Sequence, residues 1–307
     1  MRVGSQVQAL LRQLSPARVI EVTHFTDPGC PWAYSAWPAH TTLRWRYGDA
    51  LRWTLVTIGL AEDRAQYVAR GYRPVESAKN WRTTFAPLGM PFAFTPKPAL
   101  SATSPGCRAI VATRLDAPEL ELSAFRALQF AQFTTTGRLE DPAMLRGALA
   151  TVPRLDADAI VARIDDADVV AAYETDRARA RTASGSPTEF QGRAANTDGA
   201  VRYTAPSLIL EVDGRRLEAG GFQPVEAYDV VVANLDPTLP RREPATDPVE
   251  VLAAFPYPLA SAEVAAAMTP HLGVPDLLAA ETALIAAVGA GSAVRAGAGN
   301  SSLWWLA

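Results

Sequence analysis

Phe25-Thr-Asp-Pro-Gly-Cys-Pro-Trp-Ala-Tyr34 joins a stretch of strand character to one of helical character, and it holds one of the two cysteines in the 307-residue chain. Upstream, Ala17 to Thr26 is β-branched and aromatic, alternates in part, and stops at the turn cluster Asp27-Pro28-Gly29. Downstream, Pro31 suits a first helical turn. Trp32, Ala36, Ala39 and Leu43 then recur at helical spacing as far as Gly48, and Pro38 predicts a kink. Leu51 to Ile58 alternates as a second strand, and the helix between the two strands makes their pairing parallel. Cys30 is therefore expected at a helix N-terminus, where unpaired N–H groups and the helix dipole favour negative charge. A thiol there is expected to be exposed, acidic and nucleophilic. The competing reading is a small cysteine that only packs, since free cysteines are among the most buried residues. Pro-Gly-Cys-Pro-Trp is, however, a poor packing segment and a good active-site turn.

From residue 61 to about 191 helical runs dominate, at Cys107 to Leu115, Glu119 to Thr134, Pro142 to Ala150 and Asp156 to Ala183. Strand chemistry returns at Val201 to Val212, turns at Asp213-Gly214 and runs back from Arg215 to Ala219. Pro224 then begins a helix with Val225, Tyr228, Val231, Val232 and Leu235 on one face. The fold class is α/β. One sheet domain in two halves, 17–60 and 195–235, is interrupted by a helical domain at 61–194. A Pro- and charge-rich linker, 236–247, precedes a unit at 248–307. Three helices and a Gly-rich two-stranded wing make that last unit winged-helix-like.

The stretch from Phe25 to Tyr34 resembles the active-site segment of DsbA-like proteins of the FrnE and 2-hydroxychromene-2-carboxylate isomerase type, within the thioredoxin superfamily. Thr204-Ala205-Pro206, between the helical insertion and the hairpin, resembles the superfamily's cis-proline loop, which faces the thiol. The plain reading of Pro206 is a strand-edge proline. The resemblance spans roughly residues 17 to 235. It implies a thioredoxin-like fold and thiol-disulfide oxidoreductase chemistry at Cys30, with Pro31, Trp32, Ala205 and Pro206 around the substrate. It implies no bound cofactor, and as cosubstrate a low-molecular-weight thiol such as glutathione or mycothiol. The family's redox members read Cys-Pro-Trp-Cys, and the second cysteine falls here on Ala33. Without it a dithiol cycle cannot close within the motif. Three outcomes follow: monothiol exchange, isomerisation or conjugation of the kappa-class transferase type, or a binding module that has lost redox activity.

Cys107 opens an apolar run behind Ser104-Pro105-Gly106 and is a candidate remote resolving thiol, although a cysteine on an apolar face is usually core. Trp32 either shields the thiol or packs. Asp27 either orients backbone donors or simply forms the turn. His24, His40 and His271 are too scattered to form a metal site with two cysteines, and no metal is expected. Gly214, Gly220 and Gly221 do not make a phosphate loop.

Hydrophobic residues make up 49% and charged residues 20% of the chain, which suits a globular protein, and a net charge of −3 offers no field for nucleic acid or anionic membrane. Met1 to Leu10 is too polar for a signal peptide, and Leu277 to Val294 is broken by Glu281, Gly289 and Gly291, so neither export nor membrane insertion is expected. A cytoplasmic protein with reduced thiols follows. In the last unit Glu250, Glu263, Asp276 and Glu281 outweigh Arg295, against a DNA-reading helix. The nearly all-apolar Ser261 to Met268 suits packing on the body or on a second copy in a homodimer. The expected partner of the site is a small thiol or disulfide.

Overall fold

The computed structural model describes residues 18–197 and 199–307. The signal-peptide reading of Met1 to Leu10 and the start of the first strand at Ala17 lie outside the described residues. β1 (Ile20–Thr26) pairs in parallel with β2 (Leu51–Thr57), in register from Ile20 opposite Leu51 to Thr26 opposite Thr57. Between them the expected single helix is two: α1 (Pro31–Ser35) and α2 (Trp37–Tyr47), parted at Ala36. The break falls just ahead of Pro38, which has no N–H to continue the first helix and fits the first turn of the second.

After β2 come α3 (Arg64–Ala69), α4 (Pro74–Asn80), α5 (Ser104–Asp116), α6 (Glu121–Thr134), α7 (Pro142–Leu149), α8 (Ala157–Ala162), α9 (Ala167–Ala180) and α10 (Pro187–Phe190). Several begin at aspartates whose carboxylates accept from the first turn: Ala65 N to Asp63 at 2.6 Å, and Ala143 N to Asp141 and Ala159 N to Asp156 at 3.0 Å each. The run from Asp156 to Ala183 is thus two helices, with Asp166 extended between them. β3 (Ala194–Ala195) pairs with β4 (Arg202–Tyr203), and β5 (Ser207–Val212) turns through Asp213 and Gly214 into β6 (Arg215–Ala219). Both turn residues have positive φ, as a two-residue hairpin requires. The strand expected over Val201 to Val212 is broken between β4 and β5 by Pro206.

The main sheet runs β2-β1-β5-β6, with β5 antiparallel to β1. α11 (Val225–Leu235) and α2 cover one face through Leu43, Tyr228 and Val232, packed on Ile20, Val22 and Leu210. On the other face Phe25, Val56 and Ile209 pack with Cys30, Tyr203 and Ala180. The C-terminal part holds α12 (Pro248–Ala253), β7 (Leu259–Ala260), α13 (Ser261–Ala267), α14 (Leu277–Gly289), β8 (Ala293–Ala298) and β9 (Ser301–Leu306), with strand order β7-β9-β8. Among the described residues no helix is long and apolar enough to cross a membrane.

Candidate active site

Asp27 shapes the turn after β1. Its Oδ1 accepts from Gly29 N at 2.8 Å, and Cys30 N donates to the Asp27 carbonyl at 3.2 Å. This Asx turn leaves Cys30 in extended conformation as the N-cap of α1, with Pro31 in the first helical turn. The Cys30 thiol donates to the Ala205 carbonyl at 3.2 Å, and the Ala205–Pro206 peptide bond is cis. The structure therefore brings Cys30, Pro31 and Ala205–Pro206 together across 175 residues of sequence. Trp32 stands on the rim, 43% exposed, edge-on to Phe85 at 4.8 Å and tilted on Phe222 at 5.4 Å. Ala33 is buried in the position where a second motif thiol would stand.

The thiol itself departs from expectation, being buried at 6% exposed and pushed up to about 12. Burial is the largest cause, and the Asp27 carboxylate adds to it. The N–H groups of Ala33 and Trp32 and the Arg202 guanidinium pull the other way. The helix end acts on the sulfur as the sequence suggests, but desolvation of the thiolate outweighs it.

Below the turn the second Asp27 oxygen accepts from Leu60 N at 2.9 Å and Thr103 Oγ1 at 3.0 Å, with Cys107 Sγ at 3.6 Å. Burial raises the Asp27 carboxyl above its ordinary value, while these hydrogen bonds and that from Gly29 lower it. Cys107 is fully buried in a hydrophobic cluster, and burial, then Asp27, push its thiol well up. The two cysteines are free thiols that share Asp27 as a neighbour. Tyr67 on α3 lies within electrostatic reach of Asp27 and Cys30 and is raised chiefly by burial.

Sequence reasoning missed Thr103, Tyr67 and Arg202, which come from distant segments with no local motif. It also did not show that two of the three histidines meet. His24 on β1 and His40 on α2 meet at 4.8 Å between ring centroids, whereas His271 lies 3.6 Å from Asp229. Among the described residues no group of three or more His, Cys, Asp or Glu side chains could hold a metal.

No protein-family model matches the chain, and no curated protein matches its sequence. Its structure is similar to that of a Nitrosomonas europaea protein assigned as a protein disulfide isomerase. The two are 20% identical with a TM-score of 0.52, covering 70% of this chain and 97% of that one. A Streptomyces coelicolor protein assigned as a DsbA oxidoreductase is similar at 16% identity and a TM-score of 0.50, covering 74% of this chain and 93% of its own. The cytosolic disulfide reductase DsbM from Pseudomonas aeruginosa follows at 19% identity and a TM-score of 0.47, covering 70% of this chain and 98% of its own. At such identities the likeness is one of fold alone: the chain has a fold similar to that of DsbA-like, thioredoxin-fold proteins.

Proposed function

We propose that the chain is a cytoplasmic thiol-dependent oxidoreductase of the DsbA type in which Cys30 is the single reacting sulfur. The observation that supports this reading most directly is the 3.2 Å contact between Cys30 Sγ and the Ala205 carbonyl, beside Pro206. A backbone edge beside a helix-capping thiol can hold an incoming sulfur in line with it. Cys30 gives up its proton and attacks one sulfur of a disulfide R–S–S–R′. The S–S bond breaks, R′–S leaves with its electron pair and takes the proton, and Cys30–S–S–R forms. A small thiol of the glutathione or mycothiol class then attacks the R sulfur, returning electron pair and proton to Cys30 and closing a new small-molecule disulfide.

Burial pushes the thiol up, so the reading requires that the site admit water to Cys30 before the attack. α3, which carries Tyr67, is otherwise largely exposed, with only Gln66 and Tyr67 half-buried. The division into 17–60 with 195–235, 61–194 and 248–307, and a winged-helix arrangement of the last part, belong to this proposal. The burial of Cys30 favours a second reading, a binding module on the same fold with no thiol cosubstrate. Isomerisation or conjugation at the same sulfur would differ by its product, a rearranged or conjugated small molecule.

Mass spectrometry after incubation with glutathione disulfide tests the proposal on the wild type, Cys30→Ser and Cys107→Ala. A mixed disulfide on Cys30 in the wild type and in Cys107→Ala, lost in Cys30→Ser, is the expected result. Without any small thiol, Cys30 alkylation should keep accelerating with pH beyond the ~8.5 of a free cysteine. No adduct on Cys30 would overturn the catalytic reading in favour of the binding module.

A further inference from the structure

A cavity of about 700 Å³ opens where the end of α2 and strand β2 meet the approach to α6, the 236–247 connection and the residues after α12. It lies at the other end of the α1–α2 run from Cys30 and has no part in the thiol chemistry above. Its walls alternate guanidinium groups with aromatic rings. Arg44 lies 4.0 Å from the centroid of the Trp53 ring, and Arg242 lies 3.4 Å from that of Trp45. A guanidinium laid flat on an indole is held by the ring's face while its N–H edge stays available to an acceptor.

Those edges lack acidic partners. Neither Arg44 nor Arg242 pairs with a carboxylate among the described residues, and the Arg44 Nε is buried with no acceptor. Arg46 and Arg241, also in the lining, share the single carboxylate of Asp229, Arg241 at 3.2 Å. The acids of the lining, Asp49 and Glu119, are exposed; with Asp229 beside Arg46 and Arg241, four arginines face three carboxylates, which leaves one positive charge in excess. In a chain whose net charge is −3, such a concave, cationic and aromatic surface is a built feature, because the half-buried Arg44 guanidinium, with a buried Nε that has no acceptor, costs free energy until an anion arrives, while the exposed Arg242 stands beside it in the lining.

We propose that this cavity binds a planar aromatic carboxylate, its carboxylate taken by Arg44 and Arg242 and its ring laid against the half-buried Trp53 and Phe255. The volume suits one small molecule, and a few convergent polar groups on an aromatic wall are what such pockets use for orientation. A bare inorganic anion would leave the aromatic wall unused, and a nucleic acid would need a positive surface far wider than this cleft.

The test is calorimetric titration of the whole chain with 1-naphthoate, followed in parallel by the protein's tryptophan fluorescence, with 1-naphthamide as the uncharged isostere. Saturable binding is expected, weakened about tenfold or more for the amide and in Arg242→Gln, as the loss of one charge-assisted hydrogen bond implies. Arg242 carries the test should Arg44→Gln fail to fold. Cys30→Ala is expected to bind as the wild type does. Equal binding of acid and amide, unchanged affinity in Arg242→Gln, displacement by equimolar inorganic phosphate, or loss of binding in Cys30→Ala would each overturn the proposal.

Discussion

Two influences compete at Cys30, and their balance is decided by burial. The helix end and Arg202 favour the thiolate, while a dry site and the Asp27 carboxylate disfavour it. His24 shows the same rule with the opposite sign. Both of its ring nitrogens are buried without a partner, and His40 has only the Tyr228 hydroxyl at 3.3 Å on one nitrogen. Burial pulls His24 well below its ordinary value and His40 to about 3. The unfolded chain therefore binds protons near pH 6.5 that the folded chain refuses. Stability from these groups is whole above that pH and is lost as pH falls toward 3, by up to about 1.4 kcal/mol per pH unit for each histidine. Urea unfolding between pH 6.5 and 4.5 should lose stability less steeply in His24→Phe than in the wild type. Equal slopes would mean that His24 is protonated in the fold.

Close approach of backbone explains much of what the elements do. A Cβ on Gly29 would stand 2.5 Å from Thr103 Cγ2, because the loop before α5 packs directly on the active-site turn and Thr103 must reach Asp27. Gly29→Ala is expected to cost about 1–3 kcal/mol by overpacking. Thr103→Ser, which removes the methyl and keeps the hydroxyl, should recover most of that loss in the double variant. Additive costs in a double-mutant cycle by urea unfolding would exclude this contact as the cause. Element identities were readable from the sequence where a local signal sufficed: the β1-helix-β2 unit, the Asp213-Gly214 hairpin and α11. Boundaries inside the helical block were less so. Periodicity carried straight across the break between α8 and α9 because Ile160, Val161, Val169 and Tyr173 all face the same core, so the apolar phase survives a chain interruption.

Across the whole molecule the C-terminal part is joined to the body by a buried charge. Glu263 on α13 pairs with Arg126 on α6, both essentially inaccessible, and accepts from Thr41 Oγ1 on α2 at 2.6 Å and from Ala260 N at 2.9 Å. Arg126 also lies 4.1 Å from the Trp37 ring centroid. The β8–β9 turn docks as well. Phe92 N donates to Asn300 Oδ1 at 2.8 Å, and Gly299, with φ of 54°, has no room for a Cβ beside the Phe92 carbonyl. Removing one partner of a buried pair strands the other, so Glu263→Ala should destabilise by about 3–5 kcal/mol. Arg126→Met with Glu263→Gln should lose less than Glu263→Ala alone. If Glu263→Ala costs under about 1 kcal/mol in chemical unfolding, the pair does not join the two parts. In the sequence Glu263 counted only as one of the acids against a DNA-reading helix, since nothing local marks a partner 137 residues away.

The sequence by itself determined the turn at Asp27 to Pro31, the helix-capping place of Cys30, the parallel β1–β2 unit and the hairpin, because each rests on contacts within a few residues. The resemblance implied that the Ala205–Pro206 loop faces the thiol; only the tertiary structure decided that Asp27 serves Leu60, Thr103 and Cys107 at once, and that His24 lies against His40. It also decided that Cys30 is not acidic. A thiol's acidity depends on how much water the rest of the chain removes from it, and that quantity is set by segments far from Cys30 in sequence.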